Sequence, residues 1–421
     1  MSATPSVRIR SSAAMLMLLL LAAPTPTSGA QAAQRTDEGQ KCASRGTGAA
    51  EDAPFGQFSY SLFRAIAGRS PTDNVIISPV SAASALAVAF AGAKGATASA
   101  MGRVLGVGEG ESQLLGERTR SWRRSMLEQD CVQLTIANAL WADANVPFDG
   151  NFVAHSRDVH DALVRSLELK HAAEEINAWA REQTHGRIQN VVHDPIDETL
   201  LLLNAVYFKG LWASPFDSLQ TGPGPFYLAS GDSVTVPRMK RRISVRYGRQ
   251  AGFQLARLPY LGVRFGMYVL LPDTGIAPAD LVRQMEPSTI DLWLAAVRPA
   301  ELNLVLPRLK LTTKTLLIPP LSELGMQIAF DSDSADFSGM VEPAWLGGER
   351  VFLSRATQDV FIEINEEGTE AAAVTSIGAF VTSVPPPPIE FTVDRPFLLI
   401  IRDDETGAVL FIGQIFNPLP T

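Results

Sequence analysis

The sequence of 421 residues is poor in cysteine and histidine. It has two cysteines, Cys42 and Cys131, and five histidines that all lie between His155 and His193. A structural zinc site is not expected, because such sites take four ligands mainly from Cys and His. The H-E-x-x-H and G-x-S-x-G motifs are both absent, so the usual signatures of metalloproteases and α/β-hydrolases are missing. We therefore predict no metal ion, no cofactor and no catalytic residues.

The sequence also lacks a long apolar run and an excess of positive charge. No stretch reaches 18 uncharged apolar residues, and a helix needs about 20 residues to span a bilayer. With 36 basic and 44 acidic residues the formal net charge is −8, which gives no electrostatic attraction for nucleic acid. Apolar residues make up 46% of the chain, enough for a large buried core. We expect a soluble globular protein that binds neither nucleic acid nor membrane.

The N-terminus has the pattern of a targeting segment. Arg8 and Arg10 precede an apolar run over 13–23, and the small residues of Ala30-Gln31-Ala32 follow. This order is typical of a secretory signal peptide. We predict a signal peptide over 1–32, and hence secretion.

A polar leader over 33–53 is predicted to be flexible and contains Cys42. In an oxidising compartment Cys42 and Cys131 could form one disulfide between the leader and the body of the protein. Two unpaired thiols are an equal alternative, because the sequence does not give the Cα separation that a disulfide requires.

Hydrophobic periodicity predicts helices in the first third of the chain and strands in the rest. Helical spacing runs over 54–68, and Ser78-Pro79 is typical of a helix start with Ser as the N-cap residue. Strands are predicted over 132–141, 199–208, 262–271, 301–311, 351–365, 395–401 and 409–416, the last two as a closing hairpin. This order favours the α+β class with large antiparallel sheets. We expect one large domain over 54–421, and a monomer.

Four arginines are clustered on one predicted helix: Arg118, Arg120, Arg123 and Arg124. Such a cluster can bind a polyanion. A solvated helix face that pairs with nearby acidic residues is the more common explanation, and both interpretations stay open.

The stretch Glu366–Ser383 follows a predicted strand, yet its composition is neither that of a turn nor that of a core element. Gly368 can adopt a wide range of φ and ψ because it has no Cβ, and small residues follow it. At a spacing of two, one face carries Thr369, Ala371, Ala373, Thr375 and Ile377. The stretch can lie extended on the surface, and it can equally enter a sheet that covers a packed core.

Ordered motifs from about Phe55 to Pro418 resemble those of the serpin family. They include Asn74-Val-Ile-Ile-Ser78-Pro79-Val-Ser81, Gly92-Ala-Lys-Gly95-Ala-Thr97, Ile136-Ala-Asn138-Ala-Leu-Trp141, Asn204-Ala-Val-Tyr-Phe208-Lys-Gly-Leu-Trp212, Ala335-Asp-Phe-Ser338-Gly and Arg395-Pro-Phe397. Each motif is weak evidence alone. Their fixed order over nearly the whole chain makes the resemblance specific.

The resemblance implies a serpin fold, with a large central and mostly antiparallel β-sheet, further sheets, about eight or nine helices and an exposed reactive-centre loop, here 367–388. It also implies the inhibitory mechanism of that family, which is a known example of strand addition to a sheet. A target serine protease cuts the loop and forms a covalent acyl-enzyme. The loop then enters the main sheet as a new strand and distorts the trapped protease. The alternative is a non-inhibitory serpin that acts as a binding or carrier module.

The resemblance assigns three groups of site residues. The loop hinge comprises Glu366, Glu367, Gly368, Thr369, Glu370, Ala371, Ala372, Ala373, Val374 and Thr375. The sheet-opening and loop-entry group comprises Ser78, Ser81, Asn204, Trp212 and Gln358. The reactive bond is Thr382–Ser383, with Phe380–Val381 as the alternative. Where many members carry His-Lys, this chain has Gln358-Asp359, so the first of these side chains cannot titrate.

The predicted reactive bond indicates the class of target. Thr382 before the bond favours an elastase-like or subtilisin-like protease, and Phe380 would favour a chymotrypsin-like one. No Lys or Arg occurs between Glu366 and Asp394, which argues against proteases that need a basic residue.

Overall fold

A computed structural model gives the fold and describes residues 55–108, 110–127, 132–345, 350–369 and 387–420. In these ranges the nine α-helices, α1 to α9, are Gly56–Arg69, Pro79–Gly92, Gly95–Leu105, Ser112–Leu127, Gly150–His160, Ala173–Gln183, Pro278–Val282, Pro287–Ala295 and Ile318–Leu321. The strands, β1 to β15, are Val75–Ile77, Val132–Asp143, Ala162–Leu167, Leu200–Leu211, Gly222–Tyr227, Ser233–Gln250, Phe253–Pro259, Phe265–Pro272, Arg298–Pro307, Leu309–Leu316, Arg355–Ile364, Gly368–Thr369, Ile389–Thr392, Phe397–Asp403 and Val409–Ile415. The α+β class is confirmed.

A six-strand sheet has the order β10-β11-β4-β2-β3, with β12 beside β4. Strands β4 and β11 are neighbours and run parallel, whereas β12 pairs antiparallel with β4. A strand antiparallel to both β4 and β11 would therefore fit between them. We call this junction the β4–β11 gap: the two strands are paired in the structure, and an additional strand could enter between them.

A nine-strand sheet has the order β1-β15-β14-β8-β7-β6-β9-β13, with β5 beside β6. The predicted closing hairpin is confirmed, since β14 and β15 pair antiparallel. The single strand predicted over 301–311 is wrong: β9 and β10 belong to different sheets. Pro307 ends β9, because proline cannot donate to a strand ladder, and Arg308 connects the two. Each half alternates apolar and polar residues, so periodicity could not show the break.

Helix α2 lies at the centre of the core. It is buried over nearly its whole length and contacts β2, β4 and β15, because its alanine-rich surface permits close packing. Ser78 occupies the N-cap position, as predicted, but its side chain makes no capping hydrogen bond. Ser78 Oγ is buried without a partner among the described residues. The backbone of Ser78 bonds to Gln358 instead.

No helix in the described ranges is long and apolar enough to cross a membrane. In the same part of the chain, no group of three or more His, Cys, Asp and Glu side chains could hold a metal ion.

Candidate functional site

Three amide side chains form a row across neighbouring strands of the six-strand sheet. Asn138 on β2 lies opposite Asn204 on β4, and Asn204 lies opposite Gln358 on β11. Asn204 Nδ2 donates to Asn138 Oδ1 at 2.7 Å, and Gln358 Nε2 donates to Asn204 Oδ1 at 2.7 Å. All three side chains are buried. This amide row therefore links both sides of the β4–β11 gap where water cannot replace a lost bond.

The amide row also holds the N-terminus of α2 against the sheet. Ser78 N–H donates to Gln358 Oε1 at 2.8 Å, and Gln358 Nε2 donates to Ser78 O at 2.9 Å. Asn204 Nδ2 donates to Ser81 Oγ at 2.7 Å. The structure thus brings together four residues of the sheet-opening group. Amide groups do not titrate in the ordinary pH range, so these bonds are independent of pH.

Sequence reasoning misses the third member of the row, Asn138. The signal that could have identified it is an amide within the otherwise apolar stretch 136–142 of β2, since a buried amide needs hydrogen-bond partners. Asn138 Nδ2 itself has no partner among the described residues.

Glu366, the first hinge residue, lies at the end of the gap. Its carboxylate accepts hydrogen bonds from Arg308 Nε at 2.8 and 2.9 Å and from Thr221 Oγ1 at 2.5 Å. Burial alone would raise the pKa of Glu366, but the bonds from Arg308 and Thr221 outweigh it and hold the pKa below its ordinary value. The ionised form is therefore fixed in place.

Trp212 holds the turn that follows β11. Its indole Nε1–H donates to Asn365 O at 3.0 Å, and its backbone N–H donates to Glu367 O at 2.7 Å. The indole ring stacks on Tyr260, with ring centroids 4.7 Å apart. The predicted loop-entry residue thus bonds to the backbone of the hinge, and it is also part of the core.

The next two hinge residues form the short strand β12. Gly368 lies opposite Leu211, and Thr369 lies opposite Gly210. Asn365 N–H donates to Gly368 O at 2.8 Å. Gly368 has a φ of 156°, and a Cβ built there would lie 2.0 Å from Gly210 O. Only glycine fits this close approach of two backbones.

Several predicted site residues lie outside the described residues. These are Glu370, Ala371, Ala372, Ala373, Val374, Thr375, Phe380, Val381, Thr382, Ser383, Cys42 and Cys131. The roles assigned to them stay predictions.

The four clustered arginines lie on α4, as predicted, but they are not equivalent. Arg118 and Arg124 are exposed and Arg120 is partly exposed. Arg123 instead donates to His160 O at 2.7 Å and lies 3.8 Å from an Asp161 oxygen. Burial lowers the pKa of Arg123. The exposed cluster is thus smaller than the sequence suggested.

The chain is similar to the proteins of one family over most of its length. Residues 55–418 match the family model described as Serpin (serine protease inhibitor). Glia-derived nexin of Homo sapiens is 33% identical over 85% of this chain and 91% of the relative. Leukocyte elastase inhibitor of Homo sapiens is 32% identical over 86% of this chain and 98% of the relative.

Two solved structures extend the comparison. Native protease nexin-1 with heparin superposes with a TM-score of 0.75 at 30% identity, covering 86% of this chain and 98% of that one. Thyroxine-binding globulin in complex with thyroxine gives a TM-score of 0.77 at 25% identity, covering 86% and 98%.

Proposed function

Because the chain belongs to the serpin family, and is thus related to protease inhibitors rather than enzymes, we propose that it is a secreted suicide-substrate inhibitor of serine proteases. After cleavage the reactive loop enters the β4–β11 gap and traps the acyl-enzyme. The observation that carries the proposal is β12, which already begins a strand against β4 in the required antiparallel direction. The signal-peptide pattern over 1–32 supports secretion.

The register of β12 predicts where the rest of the loop would lie after insertion. Gly368 lies opposite Leu211 in the antiparallel pairing of β12 with β4. If the inserted strand keeps this register along β4, Thr375 lies opposite Asn204. The turn after β11 gives a second count. Asn365 N–H bonds to Gly368 O, and a strand that continues antiparallel to β11 from this pair places Thr375 opposite Gln358. The two counts agree, since Gln358 now lies opposite Asn204. Insertion would therefore separate these two amides and place a hydroxyl between them.

The small residues of the loop match the side they would enter. In this register Thr369, Ala371, Ala373 and Thr375 share the face of the amide row, which is buried beneath α2. An inserted strand gains hydrogen bonds to both β4 and β11, each about 0.5–1.5 kcal/mol net. From Thr369 to Thr382 it would span about 45 Å, enough to carry an attached protease to the far end of the sheet.

The proposed target is an elastase-like or subtilisin-like serine protease that cleaves Thr382–Ser383. Two relatives with the name leukocyte elastase inhibitor, from Homo sapiens and Xenopus laevis, are each 32% identical and support this class. Cleavage at Phe380–Val381 by a chymotrypsin-like protease is the alternative register.

The test is to mix the protein with elastase, subtilisin and chymotrypsin and to look for a complex that survives SDS. Mass spectrometry of the released fragment then gives the cleaved bond. Each protease with its active-site serine blocked is the control and should form no complex. Clean cleavage by all three, with no complex and no gain in heat stability, would contradict the proposal.

A carrier function is the second candidate. Thyroxine-binding globulin is similar in fold, and this chain has a cleft of about 480 Å³ lined by Tyr268, Leu294, Arg246 and Arg402, among others. Saturable binding of a small amphipathic carboxylate, together with failure of the complex assay, would favour this candidate.

A polyanion is proposed as an additional partner of α4. The similar structure of native protease nexin-1 was determined with heparin, and Arg118 and Arg124 are exposed on α4. The overall charge of −8 means that any such binding depends on this local cluster.

A further inference from the structure

Asp359 is a buried carboxylate beside the β4–β11 gap. It follows Gln358 on β11, so its side chain points to the opposite face of the sheet from the amide row. The side chain is 4% exposed. Its Oδ2 has no partner among the described residues, and its Oδ1 lies 3.7 Å from Lys314 Nζ, beyond hydrogen-bond distance.

The neighbours of Asp359 do little to compensate its charge. In register it lies between Ala205 on β4 and Lys314 on β10, and the Lys314 ammonium donates to Val191 O. Two residues earlier on the same face, Thr357 Oγ1 is also buried without a described partner. The carboxylate is thus held in an apolar layer by a single loose ion pair.

The other charged groups on this face of the sheet affect the pKa of other residues. Arg187 and Glu363 affect the pKa of Tyr207, whereas Lys314 is the charged group that affects Asp359. Burial raises the pKa of Asp359 from 3.8 to about 6, and Lys314 offsets only part of this effect. The cause is that an ionised carboxylate is costly to bury without hydrogen bonds.

We propose that Asp359 makes the opening of the β4–β11 gap dependent on pH: the ionised carboxylate destabilises the closed sheet, and the protonated one stabilises it. The proposal rests on the function proposed above. When β4 moves away from β11, Ala205 leaves the side of Asp359 and the carboxylate gains access to water. The neighbouring amide row cannot supply such a dependence, because it does not titrate.

The direction of the dependence on pH follows from the difference in proton binding between the closed and the open sheet. The closed sheet holds the proton of Asp359 more tightly than the open sheet, in which the carboxylate is solvated and returns to its ordinary pKa. Opening therefore becomes easier as the pH rises from about 4 to about 6, and the effect is complete above that range. A difference of about two pKa units sets an upper limit of about 100-fold on the change in the opening equilibrium.

The experiment measures opening without a protease. A synthetic peptide with the sequence of residues 369–382 is added to the uncleaved protein at about pH 4.5 and about pH 7.5, and its insertion is followed by native-gel shift and by the gain in heat stability. We expect insertion to be at least about 10-fold faster at the higher pH.

Two variants assign the effect. Asp359→Asn removes the charge and is expected to take up the peptide slowly at both pH values. The matched control is Glu363→Gln, because Glu363 also lies on β11 and is also 3.7 Å from a lysine ammonium, but is 23% exposed. This control should keep the wild-type dependence on pH.

The two proposals fail in different ways. Insertion of the peptide at equal rates at both pH values, or an unchanged dependence in Asp359→Asn, would overturn the role of Asp359 and leave the inhibitory function intact. No insertion at any pH, together with no protease complex, would overturn the inhibitory function itself. If Asp359→Asn fails to fold, equal rates of insertion at the two pH values in the wild type would still overturn the proposal.

Discussion

Arg308 forms a bidentate ion pair with Glu366 at the end of the β4–β11 gap. Arg308 Nε lies 2.8 Å and 2.9 Å from the two carboxylate oxygens, and Arg308 Nη2 lies 2.7 Å from one of them. Arg308 is the residue at which the chain passes from the nine-strand sheet to the six-strand sheet, and Glu366 is the first residue of the predicted hinge. The pair therefore ties the start of the predicted reactive loop to the junction of both sheets.

Glu366→Ala should lower the stability of the native form. A charge-assisted hydrogen bond contributes about 1.5–3 kcal/mol when buried, but Arg308 is 45% exposed, so we expect about 1–2 kcal/mol. Because the pKa of Glu366 is held below its ordinary value of 4.5, this contribution is complete above about pH 4.5 and is lost as the pH falls further. Denaturant unfolding at several pH values measures it. A difference from wild type that grows on acidification would refute this assignment.

Gly368→Ala should detach β12 from β4. The added methyl group would lie 2.0 Å from Gly210 O, so one of the two backbones must move. Hydrogen–deuterium exchange of the segment 209–211 is expected to become faster. The control is Gly222→Ala, since a Cβ there has no atom within 4 Å. Unchanged protection of 209–211 in Gly368→Ala would contradict the pairing.

Asn204→Ala should destabilise the closed sheet strongly. The change removes a donor and an acceptor that serve Ser81, Asn138 and Gln358 and leaves their buried polar atoms short of partners. We expect a loss of about 2–4 kcal/mol in the free energy of unfolding. Asn303→Ala is the control, because Asn303 bonds to Glu390 at an exposed position and should cost less than about 0.5 kcal/mol. Equal losses in both variants would argue against a special role for the amide row.

Thr375→Arg should convert the inhibitor into a substrate. In the register set by β12 this side chain would enter the buried layer between Asn204 and Gln358, and a guanidinium there lacks a compensating charge. The ratio of cleaved protein to SDS-stable complex measures the outcome and is expected to rise at least about 10-fold. Thr375→Ser keeps the hydroxyl and should inhibit like wild type. Full inhibition by Thr375→Arg would show that the register is wrong.

Replacing both Arg118 and Arg124 with alanine should weaken binding to heparin. Each lost phosphate- or sulfate-type contact reduces the salt dependence of binding by about one ion, so the variant should elute from immobilised heparin at lower salt. The control replaces Arg242 and Arg298, which are exposed at other sites. Identical elution of both double variants would leave α4 without a role in polyanion binding.

Parts of the fold and site could be read from the sequence because they depend on local order. Residue spacing shows which side chains share a face, so the core helix after Pro79, several of the strands and the closing hairpin were predictable. Motif order then indicated the family and, through it, Ser78, Ser81, Asn204 and Gln358. These residues are adjacent in the fold.

Other features depend on which distant segments meet, and no local pattern carries that information. The break at Pro307 is invisible to periodicity because both halves alternate. Arg123 looked like its neighbours on α4 until the fold placed His160 O and Asp161 beside it. The weak charge compensation of Asp359 could not be predicted either. It depends on the tertiary contact in which Lys314 donates to Val191 O rather than to Asp359.

The sequence by itself determined the α+β class, the buried helix after Pro79, several strands and the family, because these follow from residue type, spacing and motif order. Only the tertiary structure decided that three amides join across β2, β4 and β11, that Glu366 binds Arg308, and that one carboxylate is buried beside the gap. The physical reason is that burial and hydrogen bonding depend on contacts such as that between Ser78 and Gln358, which are 280 positions apart in the chain.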